Sequence, residues 1–289
     1  DVAWWRDYWQ RTRVQGIIVN AAGIVAYYRG DQMDDAVGAW AVLSGALDAI
    51  EDPEHRFEVA MAAFDLADKV EIPIDLAEVA RGLADVRPLT YSEHSDVMQA
   101  AIDMKAWEEA ARHASAALQL ATPEQYRDDY PDLELTDEQV ASRTQHRRAS
   151  ALAASAWATF NLGDSKLAKK IFAEAKAEGS VNFLGVPATP LYRYWGRAEL
   201  AEGHLDRALA LLSAEALFGE NRTAAEPFLR EAYVARFGSE DGLDEYLWST
   251  RNRLAKPAVD FELVDYQGNA HRLSDTAGNV TLLAFWFPT

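Results

Sequence analysis

Residues 151–179 read ALAASAWATFNLGDSKLAKKIFAEAKAEG, and this stretch decides the fold. Apolar residues recur at steps of three and four on both sides of Gly163-Asp164, which is the pattern of two amphipathic helices joined by a turn. Ala168 and Ala175 are small residues on the second helix, where they would let the two helices approach closely. The stretch therefore predicts an antiparallel helical hairpin.

Two further stretches have the same character. Residues 97–125 break near Lys105 between two helical patterns, and the second pattern again carries small residues at steps of seven. Residues 192–216 place Gly196 and Gly203 seven apart before a second alanine-rich helix. All three stretches resemble the tetratricopeptide repeat, in which pairs of helices meet at small residues and turn at a glycine. Their spacing departs from a regular period of about 34 residues, which leaves a non-repeating helical bundle as the alternative.

The resemblance implies a stack of helical hairpins over residues 1–255 with a concave surface for a protein or peptide partner. Aromatic residues within the hairpins are the candidates for lining that surface, the alternative being that they form the core. These residues are Trp107, Trp157, Tyr192, Tyr194 and Trp195.

Local signals place several helix starts in this region, and no strand is predicted before residue 258. Pro123 suits the first position of a helix, where its missing N–H costs nothing. Four pairs have the spacing of a capping box: Asp75 with Glu78, Thr122 with Gln125, Thr136 with Gln139, and Thr223 with Glu226.

The charge balance narrows the classes of partner. The chain has 28 basic and 46 acidic side chains, a formal net charge of −18. Nucleic acids and anionic membrane surfaces attract Lys and Arg, so this balance argues against both as partners. No run reaches the roughly 18 to 20 apolar residues that a membrane-spanning helix needs.

The first ten residues, DVAWWRDYWQ, are unusually aromatic. We predict a first helix that buries these rings against the next helix, since they recur at steps of four. The alternative is an aromatic belt at a membrane surface beside a removed N-terminal anchor.

No catalytic, cofactor or metal motif is present in residues 1–289. The chain has no cysteine, so it has no thiolate ligand or nucleophile of its own. The six histidines are scattered, and Glu109 with His113 is predicted to be a polar pair on a helix surface. We predict no catalytic residue, no cofactor and no metal ligand.

The pattern changes after Lys256-Pro257 from a helical period to a period of two. Residues 258–273 predict a β-hairpin that turns at 265–269, and residues 274–278 predict a short turn that ends at Gly278. Within the last ten residues, VTLLAFWFPT, residues 280–287 predict a strand buried on both faces, as in the middle of a parallel sheet.

This order of elements resembles the start of a thioredoxin-superfamily domain of the TlpA-like, redoxin kind. Two positions depart from the family pattern: Val259 replaces a proline, and Phe287-Pro288-Thr289 replaces Ala-Thr-Trp. The matching positions are Ala258, Asp260, Phe261, Leu263, Asp265, Gly268, Leu273, Ser274, Asp275, Gly278, Val280, Leu282, Leu283, Phe285 and Trp286.

The second resemblance implies that residues 256–289 are the incomplete beginning of a thioredoxin-like α/β domain. In that family a Cys-x-x-Cys would follow Thr289, so the expected function is thiol–disulfide exchange, with the helical repeats binding protein partners and residues 1–289 alone inactive. The family also implies an extracytoplasmic site, the bacterial periplasm or cell envelope, with the cytoplasm as the alternative. Two rival functions remain, a non-catalytic adaptor and a peroxidase with a single cysteine.

Overall fold

The computed structural model describes residues 15–67, 69–179, 181, 186–219, 222–254, 258–279 and 281. Within this part the chain is mainly helical, as predicted, with one two-stranded antiparallel sheet near its carboxyl end. The predicted aromatic helix at residues 1–10 and the predicted strand at residues 280–287 lie outside the described residues, apart from Thr281.

Thirteen α-helices and two β-strands are formed by the described residues, together with a π-helical turn at Tyr28–Gln32 and a 3₁₀ turn at Leu273–Thr276. In chain order they are α1 (Gln15–Tyr27), α2 (Ala36–Ala49), α3 (Pro53–Phe64), α4 (Leu76–Ala84), α5 (Tyr91–Asp103), α6 (Trp107–Leu120), α7 (Pro123–Asp129), α8 (Asp137–Asn161), α9 (Ser165–Glu178), α10 (Leu191–Ala201), α11 (Leu205–Phe218), α12 (Arg222–Phe237), α13 (Leu243–Leu254), β1 (Glu262–Val264) and β2 (Ala270–Arg272).

Three of the four predicted helix starts are confirmed. Thr136 forms a full capping box at the start of α8, Thr122 caps α7 ahead of Pro123, and Asp75 caps α4 by accepting two backbone N–H groups. The fourth prediction is wrong, because Thr223 is the second residue of α12 and lies inside the helix.

The three predicted hairpins are α5–α6, α8–α9 and α10–α11, and their turns share one geometry. Each turns at a residue with positive φ, Lys105 (59°), Gly163 (97°) or Gly203 (77°). In each, the N–H of the following residue reaches back to a carbonyl five residues earlier, over 2.8, 3.2 and 2.9 Å respectively. This is the Schellman motif, which ends one helix and sets the direction of the next.

The second helix of each hairpin buries side chains at the same distances from that turn residue. The positions five, nine and twelve residues later are fully buried, and only the side chains differ. They are Ala110, Ala114 and Ala117 in α6, Ala168, Phe172 and Ala175 in α9, and Ala208, Leu212 and Glu215 in α11.

Gly196 shows why small residues matter at these helix contacts. A Cβ atom built on Gly196 would lie 2.6 Å from Cγ of Leu212, closer than carbon atoms approach in folded proteins. The α10 backbone therefore packs directly on the Leu212 side chain of α11, and only glycine fits there.

The buried apolar residues divide into one large and two small clusters. The large cluster extends from α1 to α11 and includes the aromatic rings of α8 and α10. One small cluster joins α11, α12 and α13 through residues such as Leu209, Leu229 and Tyr233, and the other joins α5, α6 and α8 around Tyr91. Helix α8 is at the centre of the array, because it packs on α6, α9 and α10.

The predicted β-hairpin is confirmed in residues 258–279. Strands β1 and β2 pair antiparallel with Leu263 opposite His271, and the turn between them contains Gly268 at a φ of 90°. Asp265 organises the turn, accepting hydrogen bonds from the backbone of Gln267 and Asn269 and from the Asn269 side chain. These bonds, together with one from His271, hold the pKa of Asp265 well below its usual range.

Candidate functional site

Three of the five predicted partner-binding aromatics meet around Trp157 on α8. The ring of Tyr194 stacks on Trp157 with centroids 5.8 Å apart, and Trp107 meets it edge-on at 6.1 Å. Phe160 stacks on Trp157 as well, at 5.7 Å. Such ring pairs add to the stability that burial of their area provides.

The other two predicted aromatics lie apart from this group. Trp195 stacks on Phe172 of α9 at 5.6 Å, and Tyr192 lies 5.7 Å from the amino group of Lys176. The five residues therefore do not line one continuous surface.

Burial limits what these rings can offer to a partner. Tyr194 is 1% exposed, Trp157 5% and Trp195 7%, and all three belong to the large core cluster. Trp107 is half-buried. A role in partner binding stays a prediction for these residues, whereas their contribution to the core is visible in their contacts.

Two arginine side chains lie beside these rings, and neither was among the predicted site residues. Arg197 of α10 lies between two aromatic faces, 4.4 Å from the ring centroid of Trp157 and 4.1 Å from that of Phe228 on α12. Arg193, one turn earlier, stacks on Tyr194 at 4.9 Å. We call Trp157, Arg193, Tyr194, Arg197 and Phe228 the arginine–aromatic cluster.

Neither guanidinium of this cluster has an acidic partner among the described residues. No carboxylate there lies within salt-bridge distance of Arg193 or Arg197. The Nε atom of Arg193 is buried without a hydrogen-bond partner, and so is Nε1 of Trp157. Burial lowers the pKa of Arg197, and the charge of Arg193 lowers it further, although a guanidinium so placed keeps its charge at neutral pH.

A cavity of about 370 Å³ opens next to this cluster. Its walls come from the first helices of two hairpins, α5 and α8, and from the start of α10. Polar side chains outnumber apolar ones in the wall, and the Tyr194 hydroxyl donates to Oε1 of Gln99 over 3.4 Å. The lining residues include Ser95, Gln99, Ser150, Pro190, Arg193 and Tyr194.

A second polar group lies at the α10–α11 turn. The group consists of Glu199, Glu202 and His204. In the part of the chain that the structure describes, these are the only three His, Asp or Glu side chains whose possible metal-ligand atoms all lie within 4.8 Å of one another. The buried Glu199 carboxylate accepts from Trp195 at 2.9 Å and is 3.1 Å from the Arg207 guanidinium, while Lys169 reaches Glu202 at 2.6 Å. Cations already neutralise these carboxylates, so the group is a salt-bridge network that joins α9, α10 and α11.

The sequence does carry a signal for the arginine pair. Arg193 and Arg197 are four residues apart in LYRYWGRAEL, and like charges at this spacing destabilise a helix unless something else holds them. The ring of Phe228 is contributed by a helix about thirty residues away, and no local pattern could place it there.

No family model, curated protein or solved structure matches this chain. Within the described part, no helix combines the length and apolar character needed to cross a bilayer.

Proposed function

We propose that the helical region is a protein-interaction domain whose arginine–aromatic cluster binds a carboxylate-bearing segment of a partner protein. The observation that carries this proposal is the pair of half-buried guanidinium groups, stacked on rings and without acidic partners among the described residues. Arg193 lines the cavity, and Arg197 lies one helical turn further along α10.

The chemistry of the cluster favours a carboxylate over other groups. Guanidinium groups bind carboxylates through two parallel N–H···O bonds, which are stronger than neutral hydrogen bonds. Stacking on Trp157, Tyr194 and Phe228 holds both side chains before a ligand arrives, so little side-chain entropy is lost on binding. The cavity beside Arg193 leaves room for the segment that carries the carboxylate.

The repeated geometry of the hairpins supports a tetratricopeptide-like array as the architecture of this domain. Three turns share one hydrogen-bonding pattern, and three second helices bury the same positions. Stacked hairpins of this kind present the first helix of each pair on one surface. The cavity is lined by first helices, as such an array would require.

Peptide binding tests the proposal. A fluorescent array of random peptides with Asp or Glu at each position, and with free or amidated carboxyl ends, would be titrated with residues 1–289. We expect saturable binding of a subset that loses affinity when its carboxylates are replaced by amides, and that weakens as salt rises. Failure of every acidic peptide to bind saturably would refute the proposal.

Matched variants locate the site. Arg193→Gln and Arg197→Gln should each weaken the selected peptide at least about tenfold, the loss of one charge-assisted contact. Arg253→Gln removes the same charge from an exposed position on α13 and should change affinity less than about twofold. Equal losses in all three variants would mean that only overall charge matters.

A second proposal concerns the C-terminal β-hairpin and the type of reaction that its resemblance implies. We infer from its resemblance to redoxin domains that the chain belongs to a thiol–disulfide oxidoreductase, in which the helical domain recruits protein substrates. Residues 1–289 hold no cysteine, so the reacting thiols must be supplied from outside this sequence. A thiolate of low pKa would attack the substrate disulfide and form a mixed disulfide, which the second thiol then resolves.

The coding sequence after Thr289 and an insulin-reduction assay test the second proposal. We expect a Cys-x-x-Cys after Thr289 and reduction of insulin that depends on a dithiol. Replacement of the first cysteine by serine should abolish this activity. A single cysteine with hydroperoxide turnover would indicate a peroxidase instead. If no cysteine follows, the oxidoreductase proposal is wrong and the adaptor function remains.

A further inference from the structure

Two histidines meet inside the first hairpin, between α5 and α6. The Nδ1 atoms of His94 and His113 are 2.9 Å apart, and their ring centroids are 5.0 Å apart. His113 is only 6% exposed. The sequence-based interpretation of His113 as part of a surface pair was therefore wrong, because the helix face that it shares with Glu109 packs against α5.

At least one of the two rings is neutral in this arrangement, because a hydrogen bond between the two Nδ1 atoms needs a lone pair on the acceptor. Neutral imidazole nitrogen is the ligand form of histidine. In the pair as it stands, one Nδ1 donates a proton to the lone pair of the other.

The distance between these atoms is close to that of two ligands on one metal ion. Zn–N bonds of about 2.0 to 2.1 Å at a tetrahedral angle place the two nitrogens roughly 3.3 Å apart. To admit an ion in place of the shared proton, the two nitrogens would have to separate by a few tenths of an ångström. Both rings would also have to turn until their lone pairs point at the ion.

A carboxylate lies behind His113 on the side away from His94. Glu109, one helical turn earlier, places Oε2 3.8 Å from Nε2 of His113, and this oxygen is buried without a hydrogen-bond partner. Its other oxygen is held by Arg112 at 2.6 Å. Histidine ligands of metals commonly donate their second ring N–H to such a carboxylate, which orients the ring and makes it more basic.

Water can reach the pair. A cavity of about 430 Å³ lies between α4 and the hairpin, and both histidines line it together with Arg81, Leu89 and Arg112. Water from this cavity could complete the coordination that two imidazoles leave open. The Arg112 charge near the pair is balanced by Glu109.

We propose that His94 and His113 form a binding site for a divalent transition-metal ion, with Glu109 orienting His113 from behind. Imidazole ligands select Zn²⁺, Cu²⁺ and Ni²⁺ over Mg²⁺ and Ca²⁺, which prefer oxygen. The proposal is independent of the peptide site, because the two histidines are on α5 and α6, whereas the arginine–aromatic cluster is formed by α8, α10 and α12.

Calorimetric titration of residues 1–289 with Zn²⁺ tests the site, with Mg²⁺ as the comparison ion. We expect one Zn²⁺ per chain and no saturable Mg²⁺ binding. His94→Asn and His113→Asn should each raise the dissociation constant at least about 100-fold, and Glu109→Gln about tenfold. Bound Cu²⁺ should show hyperfine coupling to two nitrogens in its electron paramagnetic resonance spectrum.

His204→Asn is the matched control, since it removes a histidine from the competing group Glu199, Glu202 and His204. It should leave the affinity for Zn²⁺ unchanged. His94 is half-buried, so His94→Asn tests the site even if His113→Asn fails to fold. Absence of saturable Zn²⁺ binding, unchanged affinity in His94→Asn, or loss of binding in His204→Asn would each overturn the proposal.

Discussion

Arg147 of α8 is enclosed by three tyrosine rings and one carboxylate. Its guanidinium carbon is 4.2 Å from the ring centroid of Tyr91, 4.5 Å from that of Tyr126 and 5.5 Å from that of Tyr130. Asp129 accepts a hydrogen bond from it at 2.6 Å. Through this one side chain, α5 and α7 are both fixed to α8.

Replacement of Arg147 by methionine should destabilise the fold strongly. Methionine keeps most of the volume but leaves the Asp129 carboxylate, which is only 13% exposed, without its cation. Removal of one partner from a buried ion pair typically costs about 3 to 5 kcal/mol. Arg148→Met is the control, because its salt bridge to Glu178 is partly exposed and should be worth less than about 1 kcal/mol. Urea unfolding followed by circular dichroism would measure both, and equal losses would contradict the proposed role of burial.

Tyr91 makes the stability of the fold sensitive to alkaline pH. Burial raises its pKa to about 12, and its hydroxyl donates to the carbonyl of Arg147. In the unfolded chain a tyrosine loses its proton near pH 10. The contribution of Tyr91 to the free energy of unfolding is therefore constant below about pH 10. It decreases by about 2 to 3 kcal/mol as the pH rises from about 10 to 12. Unfolding of Tyr91→Phe should lack this part of the pH dependence.

At the scale of the elements, the three hairpin turns differ in one respect. Gly163 and Gly203 adopt positive φ at no steric cost, whereas Lys105 adopts it with a side chain. A side chain in this conformation costs about 1 to 2 kcal/mol. The first hairpin therefore stores strain that the other two avoid.

Lys105→Gly should stabilise the protein by about 0.5 to 1 kcal/mol, since relief of the backbone strain exceeds the entropy that glycine adds to the unfolded chain. Gly163→Ala should destabilise it by about 1 kcal/mol, because no atom lies within 4 Å of the added Cβ and only the backbone conformation is penalised. Thermal unfolding of the two variants should shift in opposite directions.

Helix starts and turns were the elements best predicted from sequence, because their signals are local. Thr136, Thr122 and Asp75 satisfy backbone N–H groups within three residues, and Gly163 and Gly203 set the turns within their own hairpins. Thr90 and Glu93 also form a capping box, in LTYSE, although it was not among the predicted helix starts.

At the scale of the whole molecule, the candidate sites depend on contacts that no local pattern encodes. Arg197 is part of a site only because two other helices place Trp157 and Phe228 against it. The contact between His94 and His113 depends in the same way on how α5 and α6 pack. The burial of Trp157 and Tyr194 likewise follows from the central place of α8. Sequence periodicity could show which residues were apolar but not which of them would face a cavity.

The large core cluster and the cluster of α11, α12 and α13 should differ in local stability. Helix α8 buries eleven residues, whereas residues 243–253 of α13 include two buried ones, Leu243 and Thr250. Amides with few buried neighbours exchange through local opening rather than global unfolding. In hydrogen–deuterium exchange followed by mass spectrometry, we expect α13 to exchange at least about 100-fold faster than α8. Equal protection in the two helices would show that the clusters unfold as one unit.

The turn at Asp265 has a consequence for the order of events during synthesis. The side-chain hydrogen bonds of Asp265 extend along the sequence only to His271. The side-chain hydrogen bond of the hairpin with the largest sequence separation, from the N–H of Ser274 to Asp260, spans 14 residues. Hairpins form in about 1 to 10 μs, whereas a ribosome adds roughly 5 to 20 residues per second. Once these residues leave the ribosome, the hairpin can form and re-form thousands of times before the next residue is added, and it is available as a template for whatever strand pairs with it.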